Sequence, residues 1–242
     1  MKDLHTHILY GIDDGAKTLA ESLEILKKAS INGVTDIILT PHYIKNSIYN
    51  ANNKEKDNLL TNLKKELIKN KININLYLGN EVYLDEDIPN LLNKDIKTIN
   101  DSRYILIELP ITNKSPILNE VLYNIKQANL IPIIAHPERY LRYYKDYNFY
   151  NELINQGCLL QANIGSLYGI YGRRSKKMFK ELLKRKMIHF IASDIHHANN
   201  NLYDKNMKKD LIKIVKDDKI VEDLLINNIS RVLKDEQIYG VK

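Results

Sequence analysis

The chain has 242 residues, 44% of them hydrophobic and 27% charged, with a net charge of +6 at neutral pH. These values exclude disorder, and the length suits one α/β barrel, so residues 1–242 are read as a single domain. The longest apolar runs, 104–109 and 130–135, are far too short to cross a bilayer, and the single cysteine, Cys158, excludes an internal disulfide. The opening residues, with His5, His7, Asp13 and Asp14, resemble neither a signal peptide nor an anchor, and a cytoplasmic protein is expected. Lysines are spread along helix faces without a basic stripe interleaved with aromatics, which argues against a nucleic-acid partner. A mild positive field still assists approach of an anionic ligand.

Short β-branched apolar runs alternate with amphipathic helical patterns, as in βα units around a parallel sheet. A strand over 3–7 opens the chain. Thr18, with Glu21 three residues on, starts the first helix; Leu23, Leu26 and Ala29 follow at helical spacing, and Gly33 stops it. A strand over 36–40, a helix over 54–69 and a strand over 74–79 come next. They are followed by a strand over 104–109, a helix over 116–128, a strand over 131–135 and a helix over 148–155. The last third reads as strand 159–164, helix 174–186, strand 190–193 and helix 205–215, with a final helix near 221–227 that caps the barrel. Seven strands with outer helices predict an incomplete or distorted barrel, its strands apolar on consecutive positions because both faces are covered.

The carboxyl ends of these strands carry the chemistry. The first delivers His5 and His7, two apart and therefore on one side of the strand. The others deliver in turn His42, Glu81, Glu108, His136, and then Asp194 with His196, while the loop after the first strand adds Asp13 and Asp14 between glycines. In a parallel barrel those ends meet at one mouth. Imidazole and carboxylate without thiolate suit manganese, iron or zinc, and about nine ligands are too many for a single ion of four to six bonds, so two or three divalent ions are implied.

Singly, each residue has a duller reading. His5 and His7 are about as often chance as a ligand pair, His42 alone is a loop histidine, and Asp14 alone is a turn residue. Glu108 is better evidence, because an unpaired carboxylate on an apolar strand is costly. Their shared phase at successive strand ends decides for a common site. His189 begins a strand instead of ending one, and His197 points away from His196, so neither is included. Cys158 is not the nucleophile of a thiol phosphatase either: the arginine such a loop needs six residues later is Ile164.

The segments Asp3-Leu4-His5-Thr6-His7, Gly11-Ile12-Asp13-Asp14-Gly15, Thr40-Pro41-His42-Tyr43, Gly79-Asn80-Glu81-Val82, Ala135-His136-Pro137-Glu138-Arg139-Tyr140, Asn163-Ile164-Gly165-Ser166 and Ala192-Ser193-Asp194-Ile195-His196 resemble the PHP metallohydrolases. Within them, the likeness is to the bacterial manganese-dependent tyrosine phosphatases of capsule and exopolysaccharide synthesis, the CpsB/CapC type. It runs in order from residue 1 to about residue 233. The resemblance implies a distorted (β/α)7 barrel with a trinuclear site. One ion would be held by His5, His7, Glu81 and Asp194. A second would share Glu81 and take Glu108 and His136. The third would take Asp14, His42 and His196. Asp14 and Glu108, where some relatives use histidine, point to the tyrosine-phosphatase branch.

The resemblance also implies hydrolysis of protein phosphotyrosine, with metal-activated water as nucleophile, Arg139 stabilising the transferred phosphoryl group, and His42 or His196 assisting. The implied partner is the tail of a membrane-associated bacterial tyrosine autokinase. The alternatives are a small ester such as histidinol phosphate, or a non-catalytic module that binds the kinase tail. Two departures stand out. Tyr10 occupies a position where proline is usual, and the arginine often found after the last ligand motif is missing; Lys205 or Arg173 is expected to substitute for it in binding phosphate, without the planar two-bond grip of arginine.

Overall fold

A computed structural model of the chain describes residues 1–92, 94–200, 202–204 and 206–238. The first half contains β1 (Lys2–Asp3), α1 (Leu19–Ile31), β2 (Asp36–Leu39), β3 (His42–Tyr43), α2 (Asn53–Lys69), β4 (Asn75–Leu78), β5 (Glu81–Tyr83), α3 (Ile88–Leu91) and β6 (Tyr104–Glu108). The second half contains α4 (Leu118–Gln127), β7 (Ile131–Ala135), α5 (Tyr147–Asn155), β8 (Leu159–Asn163), α6 (Ile164–Tyr168), α7 (Gly172–Lys184), β9 (Phe190–Ala192), α8 (Met207–Val215), α9 (Asp218–Glu222) and α10 (Asn228–Leu233). All strand pairs are parallel, in two sheets ordered β1-β2-β4 and β3-β5-β6-β7-β8-β9.

The two sheets are pieces of one ring. The expected strands 36–40 and 74–79 each stop and resume one step later, β2 continuing as β3 and β4 as β5. Proline has no N–H to offer a ladder, so Pro41 interrupts the first. At Gly79 the N–H still donates to the Leu39 carbonyl at 2.9 Å, a Cβ would stand 3.3 Å from Ile99 and 3.5 Å from Thr40, and regular pairing resumes at Glu81. Counting each broken pair as one stave leaves seven. The ring closes between the ends of the first and last: Asp194 N–H donates to the His5 carbonyl and His7 N–H to the Ile195 carbonyl, both at 2.9 Å, with Thr6 bridging Ile195. The first expected strand, 3–7, is thus largely a closing segment, with only Lys2–Asp3 in regular pairing.

Side chains settle into two cores. Leu4, Ile38, Leu106, Ile133, Ala192 and Phe190 fill the barrel from within, and Ile229 and Val232 of α10 plug its lower end. The expected cap near 221–227 is therefore longer: α9, a π-helical turn over Asp223–Asn227, and α10. The outer core lies between staves and helices, where Ile25, Leu26 and Ala29 of α1 and Val121, Leu122 and Ile125 of α4 are buried. Apolar positions three and four apart on each helix produce that face. Thr18 caps α1, its hydroxyl accepting from Glu21 N–H at 3.2 Å, while the Glu21 carboxylate accepts from Lys17 N–H at 2.9 Å.

One helix residue breaks the pattern. Lys56 of α2 is fully buried (0% exposed), its ammonium donating to Asn80 Oδ1 and to the Asp95 carbonyl, each at 2.6 Å. Asn80 in turn donates to the Pro41 carbonyl at 2.9 Å, so this lysine braces the breaks in both interrupted strands. Burial, reinforced by Lys97, pulls its pKa down to about 7. The unfolded chain keeps that proton up to pH about 10.4, so Lys56 makes stability rise as pH climbs above 7. In urea titrations, wild type is expected to gain about 2–3 kcal/mol on Lys56→Met between pH 7 and 9. Parallel pH profiles for the two proteins would show that Lys56 does not titrate in this window.

Candidate metal centre

The C-terminal ends of the staves converge on the carboxylate of Glu81, fully buried at the start of β5. Its Oε2 lies 3.2 Å from Nε2 of His5, 3.2 Å from Nε2 of His7 and 3.1 Å from Nδ1 of His42. Its Oε1 lies 2.8 Å from Nε2 of His136. Asp194 Oδ1 completes the inner ring, 3.4 Å from His5 Nε2 and 3.3 Å from His7 Nε2. Glu108 Oε1 stands 3.6 Å from His136 Nε2, and Asp14 Oδ1 stands 3.6 Å from His42 and 3.4 Å from His196. All nine residues expected as ligands are thus together.

Eight of them offer ligand atoms in three sets, each within 4.8 Å: His5, His7, Glu81 and Asp194; His7, Asp14, His42 and His196; and His42, Glu81 and Glu108. His136, expected with Glu81 and Glu108, joins none of these sets, its Nε2 standing 2.8 Å from Glu81 Oε1 and 3.6 Å from Glu108 Oε1. The chemistry of the donors fits divalent ions. His5 Nδ1–H donates to Gln161 Oε1 at 2.8 Å, His7 Nδ1–H to Asp13 Oδ2 at 2.8 Å and His196 Nδ1–H to the Asp194 carbonyl at 2.9 Å. Each bond turns the opposite nitrogen inward, as the outer partners of metal-bound histidines do. Of the six buried side-chain atoms without a hydrogen-bond partner among the described residues, four belong to the expected ligands: Asp14 Oδ1, His42 Nδ1, Glu81 Oε2 and His136 Nδ1. Orphaned polar atoms are rare in folded proteins, and three of these four face the cluster.

Without ions, the cluster balances its charge with protons. Burial disfavours the imidazolium of His5, yet Glu81 and Asp194 overcome this and raise it to about 9. Burial also opposes ionisation of Glu81, but His5 and His42 hold it well below the usual carboxylate range. Glu108 moves the other way, pushed up to about 8 by burial and by the neighbouring Glu81 charge. Two site residues sit in left-handed backbone, His136 (φ 32) and Asp194 (φ 54). Such geometry costs about 1–2 kcal/mol at a residue with a Cβ, and it persists here where the ends of β7 and β9 must turn ligands inward.

Asp194 is shared between two tasks. Its Oδ1 faces the histidines, while Oδ2 accepts from Asn163 Nδ2 at 2.6 Å and from Arg139 Nη1 at 3.0 Å. Arg139 lines the mouth of a cleft of about 360 Å3 together with His136, His196, Tyr49, Tyr83 and Tyr171. Arg173 is exposed on the first turn of α7 and is not among the residues that line the cleft. Its expected role in binding phosphate is therefore not supported by its position. Lys205 lies outside the described residues. Asn200 stands at the cleft on the segment that lacks the arginine, and Tyr10 leans on α2, accepting from Asn62 at 2.8 Å.

The histidines set aside on sequence grounds are elsewhere. His189 is a core residue whose Nδ1 accepts from Leu160 N–H at 3.1 Å, and His197 pairs with Glu21 at 3.2 Å. Cys158 is buried, its thiol pushed up to about 12. Sequence reading missed Gln161 and Tyr171 as site residues. Gln161 and Asn163 carried a signal, being polar and two apart in an apolar strand and so on one side of β8. Tyr171 had none, since its place depends on the path of the turn before α7.

The chain has counterparts among known proteins in sequence and in fold. Residues 1–234 match the family model for capsular polysaccharide synthesis, CpsB/CapC. CapC of Staphylococcus aureus is 39% identical over 83% of this chain and 78% of its own length. The tyrosine-protein phosphatase CpsB of Streptococcus pneumoniae is 30% identical over 98% of this chain and 100% of its own. A solved chain of the metal-dependent tyrosine phosphatases YwqE, from Bacillus subtilis, and CpsB, from Streptococcus pneumoniae, superposes with a TM-score of 0.90 at 29% identity, covering 100% of both. This chain belongs to the CpsB/CapC family of capsular polysaccharide synthesis proteins.

Proposed function

We propose that this chain is a metal-dependent phosphatase of protein phosphotyrosine, acting on the tail of a bacterial tyrosine autokinase. The observation that carries the reading is the convergence of nine imidazole and carboxylate side chains on Glu81 and its neighbours, seven of them lining one cleft with Arg139. Named relatives with this architecture are tyrosine-protein phosphatases. His5, His7, Glu81 and Asp194 would hold one ion, Glu81, Glu108 and His136 a second, and Asp14, His42 and His196 a third, with manganese favoured and iron or zinc compatible with the donors. When bound, such ions neutralise phosphate charge and lower the pKa of water from about 15.7 toward 7. No helix among the described residues is long and apolar enough to cross a membrane, which suits a cytoplasmic enzyme meeting a kinase tail at the membrane.

The side chains themselves favour an aryl ester. Both nitrogens of His42 face carboxylates, and His196 uses Nδ1 on the Asp194 carbonyl with Nε2 toward Asp14. Neither is free to protonate a leaving group, so their contribution is to the ion cluster instead of proton transfer. A tyrosyl oxygen, with a pKa near 10 as the free phenol, departs without much protonation, unlike a serine alkoxide. Arg139 keeps one N–H on Asp194 and offers the rest to the phosphoryl oxygens. Arg139→Ala is expected to raise KM about tenfold or more while kcat falls less; an unchanged KM would remove the clamp role.

The reading is tested with p-nitrophenyl phosphate, a phosphotyrosine peptide, a phosphoserine peptide and histidinol phosphate, with manganese and with EDTA. Turnover of the first two in manganese, abolished by EDTA, is expected. Absence of turnover in manganese would end the enzyme reading and leave a tail-binding module. Faster cleavage of phosphoserine or histidinol phosphate would transfer the activity to that substrate class.

A further inference from the structure

Between α6 and α7 the chain makes a tight turn, Gly169-Ile170-Tyr171-Gly172, with both glycines left-handed at φ 84 and φ 87. Ile170 N–H donates to the Gly165 carbonyl and Gly172 N–H to the Gly169 carbonyl, each at 3.0 Å. Gly165 is also the floor on which the turn rests: a Cβ there would stand 3.1 Å from the Tyr171 ring and 3.3 Å from Ile170 Cδ1. Three glycines therefore serve to place two side chains, and both of these line the cleft. Ile170 is 58% exposed, a large apolar side chain at the rim of a polar site. The Tyr171 ring lies 4.5 Å from the Arg139 guanidinium carbon, and its hydroxyl is 3.4 Å from Asp194 Oδ2, the oxygen that already accepts from Arg139.

We propose that this turn selects the substrate: Tyr171 holds the Arg139 guanidinium in the plane that receives the phosphoryl oxygens, and Ile170 packs against the aromatic ring of the ester. The inference rests on the phosphotyrosine reading above and deepens it. A guanidinium with one face on a ring and one edge on a carboxylate keeps its orientation, so its remaining N–H groups meet phosphate without first being ordered. Tyr171 is in this sense a positioning residue acting through Arg139. Ile170 distinguishes ester from ester, since a phenyl ring loses apolar surface to water at this rim and a short alkyl chain gains little from the same contact.

The test measures binding, so it does not depend on turnover. Manganese-loaded wild type, Ile170→Ser, Tyr171→Phe and Tyr171→Leu are titrated calorimetrically with inorganic phosphate and with phenylphosphonate, and thermal melts confirm folding. Ile170→Ser is expected to weaken phenylphosphonate about fivefold and phosphate less than about twofold. Tyr171→Leu should weaken both about tenfold, and Tyr171→Phe, which keeps the ring, less than about threefold. Equal effects of Ile170→Ser on the two probes, or no effect on either, overturns the selecting role of Ile170. Unaltered phosphate affinity in Tyr171→Leu, or a Tyr171→Phe variant as weak as Tyr171→Leu, overturns the stacking role of Tyr171. Wild type that binds neither probe overturns the phosphatase reading itself, and this inference with it.

Discussion

Glu81→Gln is expected to reduce turnover of a phosphotyrosine peptide by about 10³-fold or more, a loss of about 4 kcal/mol from the transition state. The substitution keeps the shape of the side chain and removes only its charge. That charge is what four imidazoles converge on, with His5, His7, His42 and His136 all within 3.2 Å of one or other carboxylate oxygen. An amide presents an N–H to nitrogens that need an acceptor or a cation, and two of the three ligand sets lose their common member. Metal content of the purified variant, measured by mass spectrometry, should fall by at least one ion per chain. A variant with a full metal complement and activity within tenfold of wild type would show that Glu81 is not the hub.

Chelation should have the second largest effect, on stability as well as activity. A ligand present at about 1,000 times its Kd contributes about 4 kcal/mol of apparent stability. For a chain of this length that corresponds to a fall of about 8–16 °C in Tm on adding EDTA. The metal-free protein should nevertheless stay folded, because His5 near 9 supplies a positive charge to Glu81 and Asp194. An ion must displace that proton, so affinity rises with pH below 9 and the gap in Tm between loaded and chelated protein widens from pH 6 to pH 8. Scanning calorimetry across that range checks the sign; a gap that narrows as pH rises would contradict proton displacement.

The convergence of the candidate ligands was legible in the sequence because strand pattern and titratable residues coincide at the stave ends. Apolar runs mark the staves, and a titratable residue immediately after such a run lies at the mouth whatever the helices do. His136 after 131–135 and Glu108 at the end of β6 are the plainest cases. The breaks at Pro41 and Gly79 were less legible, since apolar patterning runs up to them and only the hydrogen-bond ladder stops. Lysines on helices read as solvated surface, and Lys56 is the exception that only the packing of α2 on the strand breaks reveals. Arg173, two residues from Tyr171 in sequence, is exposed outside the cleft lining, and proximity in sequence alone does not bring a side chain to the site. Tyr171 sits in a turn that its two glycines mark in the sequence without showing that it reaches the cleft, and Asn200 lies on a loop with no such mark.

Ile229 and Val232 fill the lower end of the barrel, so among the described residues the cleft beside Arg139 lies at the opposite end from the plug. Substrate enters, and tyrosine and phosphate leave, through the same opening beside Arg139. Inorganic phosphate, which shares that opening with a phosphotyrosine substrate, is expected to compete with it for Arg139.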